Sequence, residues 1–248
     1  MLPIDVAAYR SPWRRLHPAV KGTFCGGLLA CALLLPAWPG AVLTAAVALV
    51  AALGPAGVPP GALARAAWVP LGFIATGSVT LLVSVGGSDT LVAWDPDGWR
   101  RAVEIGARAS AALLCQLLFA FSTPLAELLP RLTRIGLPSA LVEIVALIYR
   151  MLFVALDTSR RVATVQAGRL GYASPRAWVR SAGALGATLF IRSYDRARRL
   201  QHGLECRGYT GELRVLVEEI PLRPAAVLAA GAAPLAVAAT TISYGVLL

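Results

Sequence analysis

The closing stretch, Pro224–Leu248, runs for 25 residues without one charged side chain. As a helix it would be about 37 Å long, more than the ~30 Å hydrocarbon core of a bilayer. Apolar runs of similar character recur upstream at 22–53, 61–85 and 102–121. They exceed what a soluble core needs, and 57% of all residues are hydrophobic. The chain therefore reads as an all-α integral membrane protein.

The segments between the runs set the topology. Met1–Lys21 carries Arg10, Arg14, Arg15 and Lys21 and reads as a cytoplasmic lead-in, with no cleavable signal. The first apolar run is broken at Pro36-Ala37-Trp38-Pro39-Gly40, which predicts two short helices with a tight turn between them. Gly54–Gly61 is a loop, and Gly61–Val85 is a third span. Gly86–Trp99 carries Asp89, Asp95 and Asp97 and no base until Arg100, which suits an outer loop. Asp95-Pro96-Asp97-Gly98 has turn chemistry rather than the ligand set of a calcium loop. Ala102–Phe121 is the fourth span. Arg100, Arg101 and Arg108 at its outer end run against the charge rule, and Arg108 is expected to snorkel or to pair with Glu104. Thr123–Leu137 predicts a short amphipathic helix at the inner interface. With the last run, about five transmembrane helices result, the N-terminus inside and the C-terminus outside.

Charge is segregated. Of 22 arginines, 15 lie between Pro124 and Pro224, with 8 of the 13 acids. Membrane proteins concentrate arginine on the cytoplasmic side and near anionic lipid, so the net charge of +10 needs no nucleic-acid partner. The arginines are not interleaved with a base-stacking surface either. Cys25, Cys31 and Cys115 lie in apolar runs and Cys206 in a basic one, with no metal-ligand spacing. His17 and His202 both sit among basic residues. No P-loop, H-E-x-x-H or G-x-S-x-G pattern occurs. No catalytic, cofactor-binding or metal-ligating set is expected, and the confident spans show no mid-membrane charge of the kind ion-driven carriers use.

The basic region reads as two long helices, about 138–171 and 174–208. In the first, Leu141, Ile144, Val145, Ile148, Leu152, Ala155 and Leu156 make an apolar face, and Glu143, Arg150 and Asp157 a polar stripe. Asp157 and Arg161 are an i, i+4 pair, and in the second helix Asp195 lies between Arg192 and Arg199. The second helix opens on a Ser174 cap with Pro175 at its first position. Both end in an arginine followed closely by glycine: Gln166-Ala167-Gly168-Arg169-Leu170-Gly171, and Glu205-Cys206-Arg207-Gly208-Tyr209. A terminal cation complements the helix dipole and a glycine caps the end, so one such ending is ordinary. Two in succession, each offering a rigid fork of five donors, suit a partner's groove.

These endings resemble the two Ala-Arg-Gly-like signatures of the transmembrane T component of energy-coupling-factor (ECF) transporters, an ABC importer class. Within it the chain is similar to the CbiQ type of cobalt importers, with the nickel counterpart NikQ close. The resemblance covers most of the chain and is most specific over about 131–211. It implies that Arg169, with Ala167 and Gly168, and Arg207, with Glu205, Cys206 and Gly208, each dock into one of two cytoplasmic CbiO-like ATPase subunits. It implies as further partners a metal-binding S component, CbiM, and the small membrane protein CbiN. ATP and cobalt would be bound by those partners, leaving this chain without enzymatic activity and without a cofactor.

The expected organisation is a membrane domain over 1–122, a cytoplasmic coupling domain over 123–221 and a C-terminal transmembrane helix over 222–248. The expected function is mechanical coupling of ATPase motion to an S component in a cell (inner) membrane. The alternative is a stand-alone channel or carrier with a basic cytoplasmic regulatory domain. It would need a water-lined path with charge at mid-membrane.

Overall fold

A computed structural model of the chain describes residues 3–85, 92–94, 98–132, 136–209 and 224–247. They group into two units, one within Met1–Glu127 and Glu218–Leu248, the other within Leu128–Val217. Helices dominate: α1 Pro3–Arg10, α2 Pro18–Leu34, α3 Val42–Leu53, α4 Pro60–Thr80, α5 Gly98–Ser122, α6 Leu125–Leu132, α7 Ser139–Gly168, α8 Pro175–Glu205 and α9 Pro224–Leu247. Four of them, α4, α5, α7 and α9, are long and apolar enough to cross a bilayer, and two shorter apolar helices cover Pro18–Leu34 and Ala37–Leu53. This is an all-α, multi-pass membrane protein. The break at Pro36–Gly40 has the expected effect. Leu35 closes α2 through its N–H to the Cys31 carbonyl, and Trp38 leaves helical geometry at φ −112° and ψ 125°.

In the first unit α5 is the central helix, packed against α2, α3 and α4, while α2 also packs on α9. Leu118, Phe121 and Cys115 of α5 are buried against Cys25 and Leu28 of α2 and against Ala48, Ala51 and Ala52 of α3, and Ala111 of α5 against Ala32 of α2. Alanines and glycines let the axes approach, which matters where lipid removes the hydrophobic driving force between helices. The tightest approach is at Gly27, where a Cβ would stand 2.8 Å from Pro234 Cγ of α9. One turn on, Cys31 Sγ donates to the Pro234 carbonyl at 3.3 Å.

Several boundaries differ from the expectation. The third span ends at Thr80, not Val85: Leu81 and Leu82 tighten the last turn through bonds to Ser78 and Val79. The chain then forms β1, Val83–Val85, paired antiparallel with β2, Val92–Trp94. Alternating Val-Ser-Val suits a strand better than a helix end. The loop after the third span thus contains a strand, and its aspartates, including the Asp95–Asp97 turn, lie outside the described residues. The fourth span begins at Gly98, so Arg100 and Arg101 fall in the first turn of α5. Glu104 pairs with Arg100 at 3.2 Å, not with Arg108. Arg108 instead donates to the Leu33 carbonyl at 3.5 Å, placing a cation at the C-terminal end of α2. Asp195 makes no ion pair with Arg192 or Arg199 among the described residues, whereas Asp157 and Arg161 do pair, at 2.8 Å.

Lys21 departs furthest from the sequence reading. It is not part of a solvated lead-in: α2 begins at Pro18, and Lys21 is 1% exposed. Its Nζ donates to the Ser122 carbonyl at 2.8 Å, in the last turn of α5. That carbonyl is among the four that a helix end leaves without an internal partner. The buried cation therefore closes a helix terminus.

Candidate functional site

The helices of the second unit are nearly equal, 30 residues in α7 and 31 in α8, and so roughly 45 Å long each. A turn over Arg169–Ser174 joins them. Ser174 caps α8 by accepting from the Ala177 N–H at 3.2 Å. The start of α7 and the end of α8 meet where Tyr209 donates its hydroxyl to Glu143 Oε1 at 2.8 Å. The helices are therefore antiparallel, and their C-terminal ends lie about 45 Å apart.

Both ends close the same way. At the end of α7 the Leu170 N–H bonds the Ala167 carbonyl at 3.0 Å, and the Gly171 N–H bonds the Gln166 carbonyl at 2.8 Å. At the end of α8 the Gly208 N–H bonds the Glu205 carbonyl and the Tyr209 N–H bonds the Leu204 carbonyl, both at 3.0 Å. This is the paired closure that a left-handed residue after the cap allows. The left-handed residues are Leu170 at φ 58° and Gly208 at φ 74°. In both closures the residue just before is the arginine, Arg169 or Arg207. The looser match of the first ending to the second is thus a difference of side chain, not of backbone. Leu170 occupies the conformation that Gly208 occupies, at the steric cost a Cβ brings there.

Ala167, Gly168 and Arg169 are exposed at one end of the pair, and Glu205, Cys206, Arg207 and Gly208 at the other. Among the described residues neither Arg169 nor Arg207 is ion-paired. Each guanidinium sits where helix carbonyls leave partial negative charge, with its donors open to a partner's carboxylate or carbonyl. Glu205 is already engaged, accepting from Gln201 Nε2 at 2.9 Å and lying 3.5 Å from His202 Nδ1.

Gln166, which opens the first signature, and two residues not singled out from the sequence, Tyr172 and Ser181, brace the α7 end. Gln166 Nε2 donates to the Ser181 carbonyl at 3.0 Å, and the Tyr172 hydroxyl donates to Gln166 Oε1 at 2.7 Å. Ser181, buried, donates its hydroxyl to the Gly171 carbonyl at 2.8 Å. A Cβ on Gly171 would meet Ser181 Oγ at 2.7 Å and the Gln166 carbonyl oxygen at 2.8 Å. Only glycine fits, and the corner between the helices is a small, closed polar lock. Nothing periodic marks Tyr172 and Ser181, so the sequence showed Gln166 within a signature but not the lock it belongs to.

Between the arms the helices enclose a groove of about 880 Å³. The α7 wall is apolar, with Leu147, Ile148 and Met151, and the α8 wall carries Arg192, Arg196 and Arg199. Much of the apolar face of α7 is uncovered, with Leu141, Ile144, Val145, Ile148 and Leu152 all exposed. Among the described residues no group of three or more His, Cys, Asp or Glu side chains could hold a metal ion.

Comparison with known proteins matches residues 10–217 to the model of the family CbiQ, cobalt transport protein. A cobalt transport protein CbiQ from Rhodobacter capsulatus is 39% identical over 223 residues, 90% of this chain and 89% of that one. A putative fused cobalt transport protein CbiMQ from Methanocorpusculum labreanum is 27% identical over 91% of this chain, a match covering 39% of the fused protein. A cobalt transport protein CbiQ from Salmonella typhimurium is 24% identical over 87% of this chain and all of its own length.

Proposed function

The chain belongs to the CbiQ family of cobalt transport proteins, and from that premise we propose that it is the energy-coupling T component of an ECF-type cobalt importer. As a membrane component of cobalt transport it carries no chemistry of its own in this reading. Two copies of a CbiO-like ATPase would grip its ends, one at Arg169 and one at Arg207. Residues 123–221 would form the cytoplasmic coupling domain. ATP-driven approach of the ATPases would displace the ends, and the arms would convey that displacement to a CbiM-like S component holding the metal. A small CbiN-like protein completes the proposed assembly.

The observation that carries the proposal is the repeated closure of α7 and α8. Two helix ends with the same hydrogen bonds, each bearing an exposed arginine without an ion pair among the described residues, suit two copies of one partner better than two unrelated contacts. The fused CbiMQ relative supports a CbiM-like neighbour, since fusion keeps two chains at high effective concentration. Rigid-body movement of long helices, with shear at contacts lined by small residues, is a known way to convey such motion.

The test is the double variant Arg169→Ala/Arg207→Ala. Membrane insertion should be unchanged, ATPase subunits should no longer co-purify, and cobalt uptake should fall to background. Normal uptake by the inserted double variant would reject the coupling role.

A further inference from the structure

The groove between α7 and α8 is not absorbed by a role confined to the two helix ends. Leu147, Ile148 and Met151 supply hydrocarbon from α7, and Leu189, Ala197, Leu200 and Leu204 add more from α8, where Arg192, Arg196 and Arg199 also line the groove. Spacings of four and three stack these arginines on one helix face, a ladder of about 10 Å. None of the three is ion-paired among the described residues, although Asp195 stands in the same segment. Glu205 also lines the groove, but its carboxylate is held by Gln201 and His202. The groove thus presents a row of open guanidiniums facing a greasy wall, in a volume typical of small-ligand sites, about 300–1,000 Å³.

We propose that this groove binds an anionic phospholipid of the surrounding bilayer, acyl chain along α7 and head-group phosphate on the α8 arginines. Charge complementarity selects the ligand. A zwitterionic lipid would bring its own cation to the arginine ladder, whereas an acidic lipid brings only the phosphate that a guanidinium fork matches. The apolar wall selects a lipid over free phosphate, because phosphate leaves Leu147, Ile148 and Met151 in water. It also accounts for α7, whose first half is apolar enough to enter a membrane yet has no buried residue. The proposal does not depend on the coupling role.

Photoactivatable phosphatidylglycerol and phosphatidylcholine, added to the purified full-length chain in nanodiscs, provide the test, read by mass spectrometry of labelled peptides. The acidic lipid should label 147–155 at least about tenfold more than the zwitterionic one. Arg192→Gln/Arg196→Gln/Arg199→Gln should abolish that preference. Arg160→Gln/Arg176→Gln/Arg180→Gln, with the same charge loss outside the groove lining, should keep it. Equal labelling by the two lipids of the natural protein would overturn the proposal whether or not the variants fold. Loss of labelling in millimolar inorganic phosphate would make this a bare phosphate site, and also overturn it. Protection of 147–155 by another subunit in the purified transporter would assign the groove to a protein and do the same.

Discussion

Leu170 and Gly171 show how much of a helix end is decided by backbone rather than side chain. Leu170 is 76% exposed, so at φ 58° it has the strain of a Cβ without compensating burial. Leu170→Gly should stabilise the protein by about 1 kcal/mol, measured by denaturant titration in detergent. Partner binding should survive if the arginine beside it is the contact. Gly171→Ala should do the reverse. Its Cβ meets a backbone oxygen at 2.8 Å, which cannot swing away as a side chain could. We expect a loss of about 1–3 kcal/mol and weaker ATPase retention, because the Ser181 lock that sets the end of α7 must open. That each helix stops at its arginine was legible in the sequence, because a glycine close behind is a local and chemically restricted stop signal. The exchange of a left-handed glycine for a left-handed leucine was not, since leucine carries no preference for that conformation.

At the scale of helices, membrane packing turns on small residues and on a few closed polar ends. Gly27 of α2 abuts Pro234 of α9 so closely that Gly27→Ile should wedge the pair apart, costing about 1–3 kcal/mol in folding assays. Lys21 is the other joint. Lys21→Met keeps most of its length but removes the donor to Ser122, and should destabilise the α2–α5 contact by about 1.5–3 kcal/mol. A side chain that merely snorkelled to water would tolerate the change. Long apolar runs, the proline break and the Ser174 cap could be read directly, because each is a property of neighbours in sequence. Lys21 could not. Its burial follows from α5 returning its last carbonyls to the first turns of α2, 101 residues away along the chain. The β1–β2 pairing was missed for a related reason: three residues of Val-Ser-Val continue the hydropathy of a span, and only a facing partner turns them into a strand.

For the whole molecule, the separation of the two helix ends sets what the proposed coupler requires. Antiparallel arms of 30 and 31 residues hold Arg169 and Arg207 about 45 Å apart. A single partner subunit reaching both would need a binding surface as long as the arms. Two copies, each meeting one end, need only two short grooves, and the matching closures present each copy with the same backbone. Independent docking predicts a stepwise loss of subunits. In native mass spectrometry of the purified transporter, Arg207→Glu alone should reduce the ATPase complement from two to one, and Arg169→Glu/Arg207→Glu should remove both. Uptake should already collapse in the single variant, since relative displacement of two ends needs both to be held. Retention of both ATPases by the double variant would place the attachment elsewhere on the chain. Loss of both in the single variant would mean that the ATPases bind as one preformed unit, with the second end too weak to hold it.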